Sequence, residues 1–147
     1  MPTKTGVRVE TVFAHPVEEV WPRFADFAES PKMAGVQVAG VTGSGVGAVR
    51  HVLVGEGFAD ERLEIMDHAG RRVVYSIVDR DPSVNIEDYV AEMAVTPIDA
   101  SSCRFRWEST FSVPDGDDPE QARERMRKAY GFYIEGFRAA LARGSAR

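Results

Sequence analysis

A chain of 147 residues with 44% apolar and 28% charged side chains has the length of one domain and the composition of an ordinary globular protein. Its 18 basic and 23 acidic side chains leave a net charge of −5, which argues against nucleic acid as a partner because phosphate contacts need a basic surface. The single cysteine, Cys103, excludes an internal disulfide, no apolar run approaches the roughly 18 residues that span a bilayer, and the opening Met1-Pro2-Thr3-Lys4-Thr5-Gly6 has no apolar signal region, so a cytoplasmic chain without membrane insertion is expected.

Residues 8–13 alternate charged and apolar side chains and open as a strand. Pro16 suits a helix start, and Val17, Val20, Trp21 and Phe24 fall at i, i+3, i+4 and i+7, one helical stripe. Pro22 does not suit a helix interior, so this helix is predicted to be short or kinked. A second short helical piece is predicted over 27–33. Val36, Val38 and Val41 form a strand that turns at Gly43-Ser44-Gly45. Residues 48–54 make the next strand, with Arg50 on the face of Val52 and Val54 and His51 on the other. Gly55 and Gly57 flank Glu56, either as an ordinary hairpin or as the hinge of a gate over a cavity mouth.

In 58–66, Ala59, Glu61, Leu63 and Ile65 share one face, while Asp60, Arg62 and Glu64 take the other. Residues 73–78 are rich in β-branched side chains, with Tyr75 and Ile77 on the inward parity. In 85–95, Tyr89, Ala91, Met93 and Val95 share a face. Cys103, Phe105, Trp107, Ser109 and Phe111 alternate with Arg104, Arg106, Glu108, Thr110 and Ser112, the clearest half-buried strand in the chain. The period then changes. Asp118 is a good N-cap, Pro119 fits the first helical position and Gln121 can complete a capping box. The helix is expected to run to about Arg143, stopped by Gly144, over roughly 37 Å. Its apolar stripe is Met126, Tyr130, Tyr133, Phe137 and Leu141, with Ala129 and Ala140 beside them.

Six consecutive strands with short connections predict an antiparallel meander, and a sheet with one apolar face needs a cover, which the final helix supplies. The fold class is therefore α+β. Within it Glu61 stands out, because a carboxylate among inward apolar groups is costly unless paired, hydrated or neutralised. Either the strand is bulged and Glu61 is solvated or held in a structural pair, or Glu61 is the polar spot of an apolar cavity. Arg50 is its natural partner, or else a solvated strand edge. The three histidines do not cluster and no spacing matches a zinc site. The glycine run 43–47 lacks the Lys-Ser/Thr of a phosphate loop, and Cys103 reads as a core residue rather than a nucleophile. No metal or cofactor is expected.

The chain resembles the START/Bet v 1-like (SRPBCC) superfamily, the helix-grip fold, and within it the bacterial polyketide cyclase/dehydrase-like branch. The likeness is carried by His15-Pro16-Val17-Glu18-Glu19-Val20-Trp21 through Asp26-Phe27, Gly45-Val46-Gly47-Ala48-Val49-Arg50, Glu61-Arg62-Leu63, Tyr75-Ser76-Ile77, and Gly136 with Leu141. It implies a curved antiparallel sheet of about seven strands gripping the long helix, two short helices after the first strand, and a cavity between sheet and helix. The stretch Glu61-Arg62-Leu63, Asp67, Arg71-Arg72 also resembles the plant abscisic-acid receptors, whose matching glutamate meets the ligand through water. Their ligand-pairing lysine has no match here, Lys32 being nearest, so an acid ligand of that type is not implied.

On this reading Phe105, Trp107, Phe111, Met126, Tyr133 and Phe137 wall the cavity, and Glu61, Tyr75, Tyr89 and Arg50 are its polar set. The expected ligand is a small hydrophobic molecule such as a polyketide, lipid or isoprenoid, held by a monomer or homodimer. A carrier is one function; a cyclase or dehydratase in which Glu61 moves a proton and Tyr75 or Tyr89 polarises a carbonyl is another. A third, an interaction module, would need a filled cavity and a large exposed apolar patch.

Overall fold

The computed structural model describes residues 2–145. The elements are β1 (Thr3–Phe13), α1 (Val17–Ala25), a 3₁₀ helix (Ser30–Ala34), β2 (Val38–Thr42), β3 (Val49–Val54), β4 (Gly57–Asp67), β5 (Arg72–Arg80), β6 (Glu87–Asp99), β7 (Ser102–Val113) and α2 (Pro119–Ser145). The strands form one antiparallel sheet in the order β1-β7-β6-β5-β4-β3-β2. β2 to β7 are the predicted meander. β1 closes the far edge on β7, in register from Thr3 opposite Val113 to Phe13 opposite Cys103. The long helix α2 packs on β1, β7 and the 3₁₀ helix. This is the helix-grip α+β architecture.

The stripe Val17, Val20, Trp21 and Phe24 is buried, and α1 stops after nine residues with Pro22 in its last turn and a half. Its Phe24 joins Phe13 of β1, Phe105 of β7 and Phe137 of α2, with Phe24–Phe105 centroids 4.7 Å apart and Phe24–Phe137 edge-on at 5.0 Å. Each such ring pair adds about 0.5–1.5 kcal/mol beyond its buried area, so this cluster pins sheet, α1 and α2 together.

Two irregularities tune β4. Opposite Asp60 and Glu61, the partner β5 carries the extra residue: Asp60 faces Asp79 and Glu61 faces Ile77. Because Val78 is the inserted residue, β4 keeps its alternation and Glu61 stays between the buried Ala59 and Leu63. Two residues on, β4 itself bulges at Glu64, with Leu63 facing Tyr75 and Ile65 facing Val74. The parity reverses there, so Ile65 is not inward as its spacing predicts. It is 38% exposed, and Met66 turns to the core instead. Outward-facing groups pair across the sheet: His51 with Asp60, Arg62 with Glu64 at 2.8 Å, and Arg72 with Glu92 at 2.6 Å.

At the start of α2, Asp118 Oδ1 accepts the Glu120 N–H at 3.0 Å, the predicted cap. The helix does not stop at Gly144 but runs through Ser145. A glycine ends a helix by adopting the left-handed conformation, and Gly144 is not among the glycines of positive φ. Two other glycines of α2 differ in what surrounds them. A Cβ on Gly136 would lie 2.7 Å from the Ala34 Cα, so this glycine lets α2 touch the 3₁₀ helix. A Cβ on Gly131 meets nothing within 4 Å.

Substitution of these two glycines by alanine should therefore act in opposite directions. Gly136→Ala overpacks a backbone contact and should cost about 1–3 kcal/mol, with Tm lower by several degrees. Gly131→Ala should stabilise by about 0.5–1 kcal/mol through helix propensity. Thermal unfolding followed by circular dichroism checks the pair; equal effects at the two sites would contradict the contact.

Candidate ligand cavity

Between the sheet and α2 lies a cavity of about 200 Å³. α2 contributes Met126, Ala129, Tyr130, Tyr133 and Phe137, and the strands contribute Arg50, Val52, Ala59, Glu61, Tyr75, Ile77, Tyr89, Met93 and Trp107. Its half-buried rim is built from Pro31 and Ala34 of the 3₁₀ helix, Val36 just after it, Val54 at the β3–β4 hairpin, and Val84 and Ile86 between β5 and β6. The hairpin itself is tight, with Val54 paired to Gly57 and Gly55 at φ 57°.

Arg50 is the charged centre. It is 4% exposed and sits directly opposite Glu61 on the neighbouring strand. Its Nε donates to Glu61 Oε1 at 2.8 Å, and its Nη1 donates to the Phe27 carbonyl at 2.9 Å and Ser30 Oγ at 3.2 Å. The guanidinium lies over the Phe27 ring, 4.1 Å from its centroid, and 5.0 Å from that of Tyr75. One side chain thus joins β3, β4 and the connection between α1 and the 3₁₀ helix.

A second network is made of neutral hydroxyls. Trp107 Nε1 donates to Tyr75 Oη at 3.2 Å, Tyr75 and Tyr89 hydroxyls are 3.4 Å apart, Tyr89 bonds Tyr130, and Tyr130 donates to Ser109 Oγ at 2.8 Å. The Trp107 and Tyr130 rings stack 3.8 Å apart, locking α2 to β7. All four tyrosines of the chain, Tyr75, Tyr89, Tyr130 and Tyr133, line the cavity. Burial pushes the hydroxyls of Tyr75 and Tyr89 well above their ordinary range and raises those of Tyr130 and Tyr133 too. They are neutral hydrogen-bonding groups at physiological pH, not bases.

Of the sequence candidates, Arg50, Glu61, Tyr75, Tyr89, Trp107, Met126, Tyr133 and Phe137 all line this one cavity. Phe105 and Phe111 do not. Phe105 is fully buried between Phe13, Phe24 and Phe137, and Phe111 lies behind Tyr89, centroids 6.4 Å apart. Inward parity selects the core side of a strand, but the middle and end of β7 meet different layers, and only Trp107 reaches the cavity. Lys32 lies outside the lining, 2.9 Å from Glu29. Cys103 is buried and its thiol is pushed up to about 11 by desolvation, consistent with a core residue. The sequence reading missed Tyr130 and Ser109 as polar members. Ser109 carried the signal that flagged Glu61: a polar side chain on an otherwise apolar inward face. Among the described residues no three His, Cys, Asp or Glu side chains converge as a metal site, and no helix is long and apolar enough to cross a membrane.

A family model described as polyketide cyclase/dehydrase and lipid transport matches residues 4–142. No curated protein matches the chain. Among solved structures, an uncharacterised protein of Bacillus thuringiensis superposes with a TM-score of 0.79 at 20% identity, over 94% of this chain and 99% of its own. A protein of Nitrosospira multiformis does so with a TM-score of 0.77 at 23% identity, over 97% and 100%. Norcoclaurine synthase of Thalictrum flavum, a point mutant bound to a transition-state analogue, reaches 0.73 at 12% identity, over 99% and 98%. At these identities the likeness is one of fold, and that fold is the START/Bet v 1-like helix grip.

The tyrosine placement has a measurable consequence. Unfolded, each hydroxyl ionises near pH 10, whereas the folded chain retains those protons to higher pH. Above about pH 10 the folded state therefore binds more protons than the unfolded state, and stability falls as pH rises. In an absorbance titration the tyrosines should ionise late and together with alkaline unfolding. A large ionisation step near pH 10 with the fold intact would refute the arrangement.

Proposed function

The chain belongs to the polyketide cyclase/dehydrase and lipid transport family, and we propose that it binds a compact hydrophobic molecule carrying a few oxygen atoms in the cavity between sheet and α2, as a carrier or binding protein. The observation that carries this reading is the composition of the lining. Two charged groups, Arg50 and Glu61, face each other within a wall that is otherwise apolar apart from its tyrosines, Trp107 and Ser30. A buried ion pair of this kind gives little net stability, so its placement at a cavity favours a role in orienting a ligand.

The volume, about 200 Å³, suits a molecule of one or two rings rather than a long acyl chain. An open cavity also disfavours the interaction-module reading, which needs a filled one. Binding is preferred to catalysis because Glu61 is the one carboxylate in the lining, no histidine joins it, and its Oε1 is already engaged by Arg50. Acid–base chemistry on a ligand generally needs a proton donor and an acceptor of matched strength, and the tyrosines here are held as neutral donors.

Native mass spectrometry of protein purified from its own host is the direct test: a single small molecule should be retained, and it should be recovered unaltered after incubation. Recovery of a transformed molecule would move the assignment to a cyclase or dehydratase. Glu61→Gln keeps the side-chain shape and an acceptor for Arg50 Nε. It should leave the circular dichroism spectrum unchanged and weaken binding of the retained molecule by at least about tenfold, the effect of losing a charged hydrogen bond. Unchanged affinity would remove Glu61 from the site.

A further inference from the structure

The Arg50–Glu61 pair is joined by one hydrogen bond, although its geometry has room for two. The guanidinium edge that carries Nε also carries Nη2, and a carboxylate meeting that edge squarely would engage both. Here Nε bonds Oε1, and Nη1 is spent on Phe27 and Ser30. Nη2 and Oε2 bond no described residue. Neither is sealed away, since among the described residues the one sealed side-chain N or O without a partner is Arg106 Nε. Both residues line the cavity, so the free donor and the free acceptor belong to paired side chains that border its open space.

We infer that this half-open ion pair is an anchor for the hydroxyl group of a neutral ligand, the hydroxyl accepting from Arg50 Nη2 and donating to Glu61 Oε2. The inference rests on the cavity-binding reading and names the chemistry of the ligand. A hydroxyl satisfies both arms at once. A carbonyl satisfies Nη2 alone and leaves Oε2 facing it. A carboxylate would bring a second negative charge against Glu61, and an ammonium a second positive charge against Arg50. The two lining charges cancel, so a net charge on the ligand would have no counter-ion. A methyl group in the same place would displace water from both arms and return no hydrogen bond.

Three matched two-ring probes separate these cases: β-naphthol, β-methylnaphthalene and β-naphthoate, measured by calorimetric titration against the full chain at neutral pH. β-Naphthol should bind about 10- to 100-fold more tightly than either of the others. Glu61→Gln replaces the free acceptor by an amide donor, so Arg50 and Gln would then present two donors. The variant should lose affinity for β-naphthol and gain it for β-naphthoate, inverting their order. If wild type binds β-methylnaphthalene or β-naphthoate as well as β-naphthol, the cavity reading stands and the hydroxyl anchor is overturned. The anchor is equally overturned if the folded variant keeps the wild-type order. If wild type binds none of the three, the cavity-binding reading fails and the anchor with it. Should the variant not fold, the wild-type series decides alone.

Discussion

Taking a guanidinium out of water is costly unless most of its donors are used, and in this fold that requirement ties together parts of the chain distant in sequence. Arg50 is almost fully buried on the concave face of the sheet. It is held by a carboxylate on the next strand, by a carbonyl between α1 and the 3₁₀ helix, by a hydroxyl at the start of that helix, and by two aromatic rings. Removing any of these partners would leave part of a charge unsatisfied in a region of low dielectric, at a cost of several kcal/mol when the partner is the carboxylate. The position of the short helices over the sheet, and with it one side of the cavity rim, follows from satisfying that one side chain.

The cavity exists because the two ends of the sheet–helix sandwich are packed differently. At one end Phe13, Phe24, Phe105 and Phe137 pack ring against ring. Toward the other, Ala34, Ala59 and Ala129 line the wall, too small to meet across the gap, and the tyrosines hold its inner end through a hydroxyl chain rather than through close apolar contact. Tyr130 ties that chain to α2 by stacking on Trp107, so helix position and hydrogen-bond network are set together. The result is a pocket that presents both neutral hydroxyls and an ion pair.

Much of this was legible in the residue pattern. Strand parity put Arg50, Glu61, Tyr75, Tyr89 and Trp107 inward, and they line the cavity. The same rule failed where an assumption behind it failed. Alternation predicts Ile65 inward, but the bulge at Glu64 shifts parity by one residue, and a bulge leaves no mark in a run of alternating side chains. Inward parity predicts Phe105 and Phe111 as cavity wall, yet burial alone cannot tell a residue facing a cavity from one facing another ring. Tyr130 falls within an apolar stripe because a helical period reports the buried face and is silent on what the hydroxyl meets there.

The element order, the antiparallel meander, the amphipathic final helix and the inward placement of Arg50, Glu61, Tyr75 and Tyr89 follow from the residue pattern alone, because each depends on local periodicity and short connections. Long-range packing alone sets β1 against β7, joins Arg50 to Glu61 through one hydrogen bond while it reaches back to Phe27 and Ser30, and brings four tyrosines onto a cavity of about 200 Å³. Those features join residues separated by tens of positions in the chain, and periodicity carries no information about distances of that kind. What sits next to Glu61 is set by how the sheet curls around the helix, and that curl is a property of the whole fold.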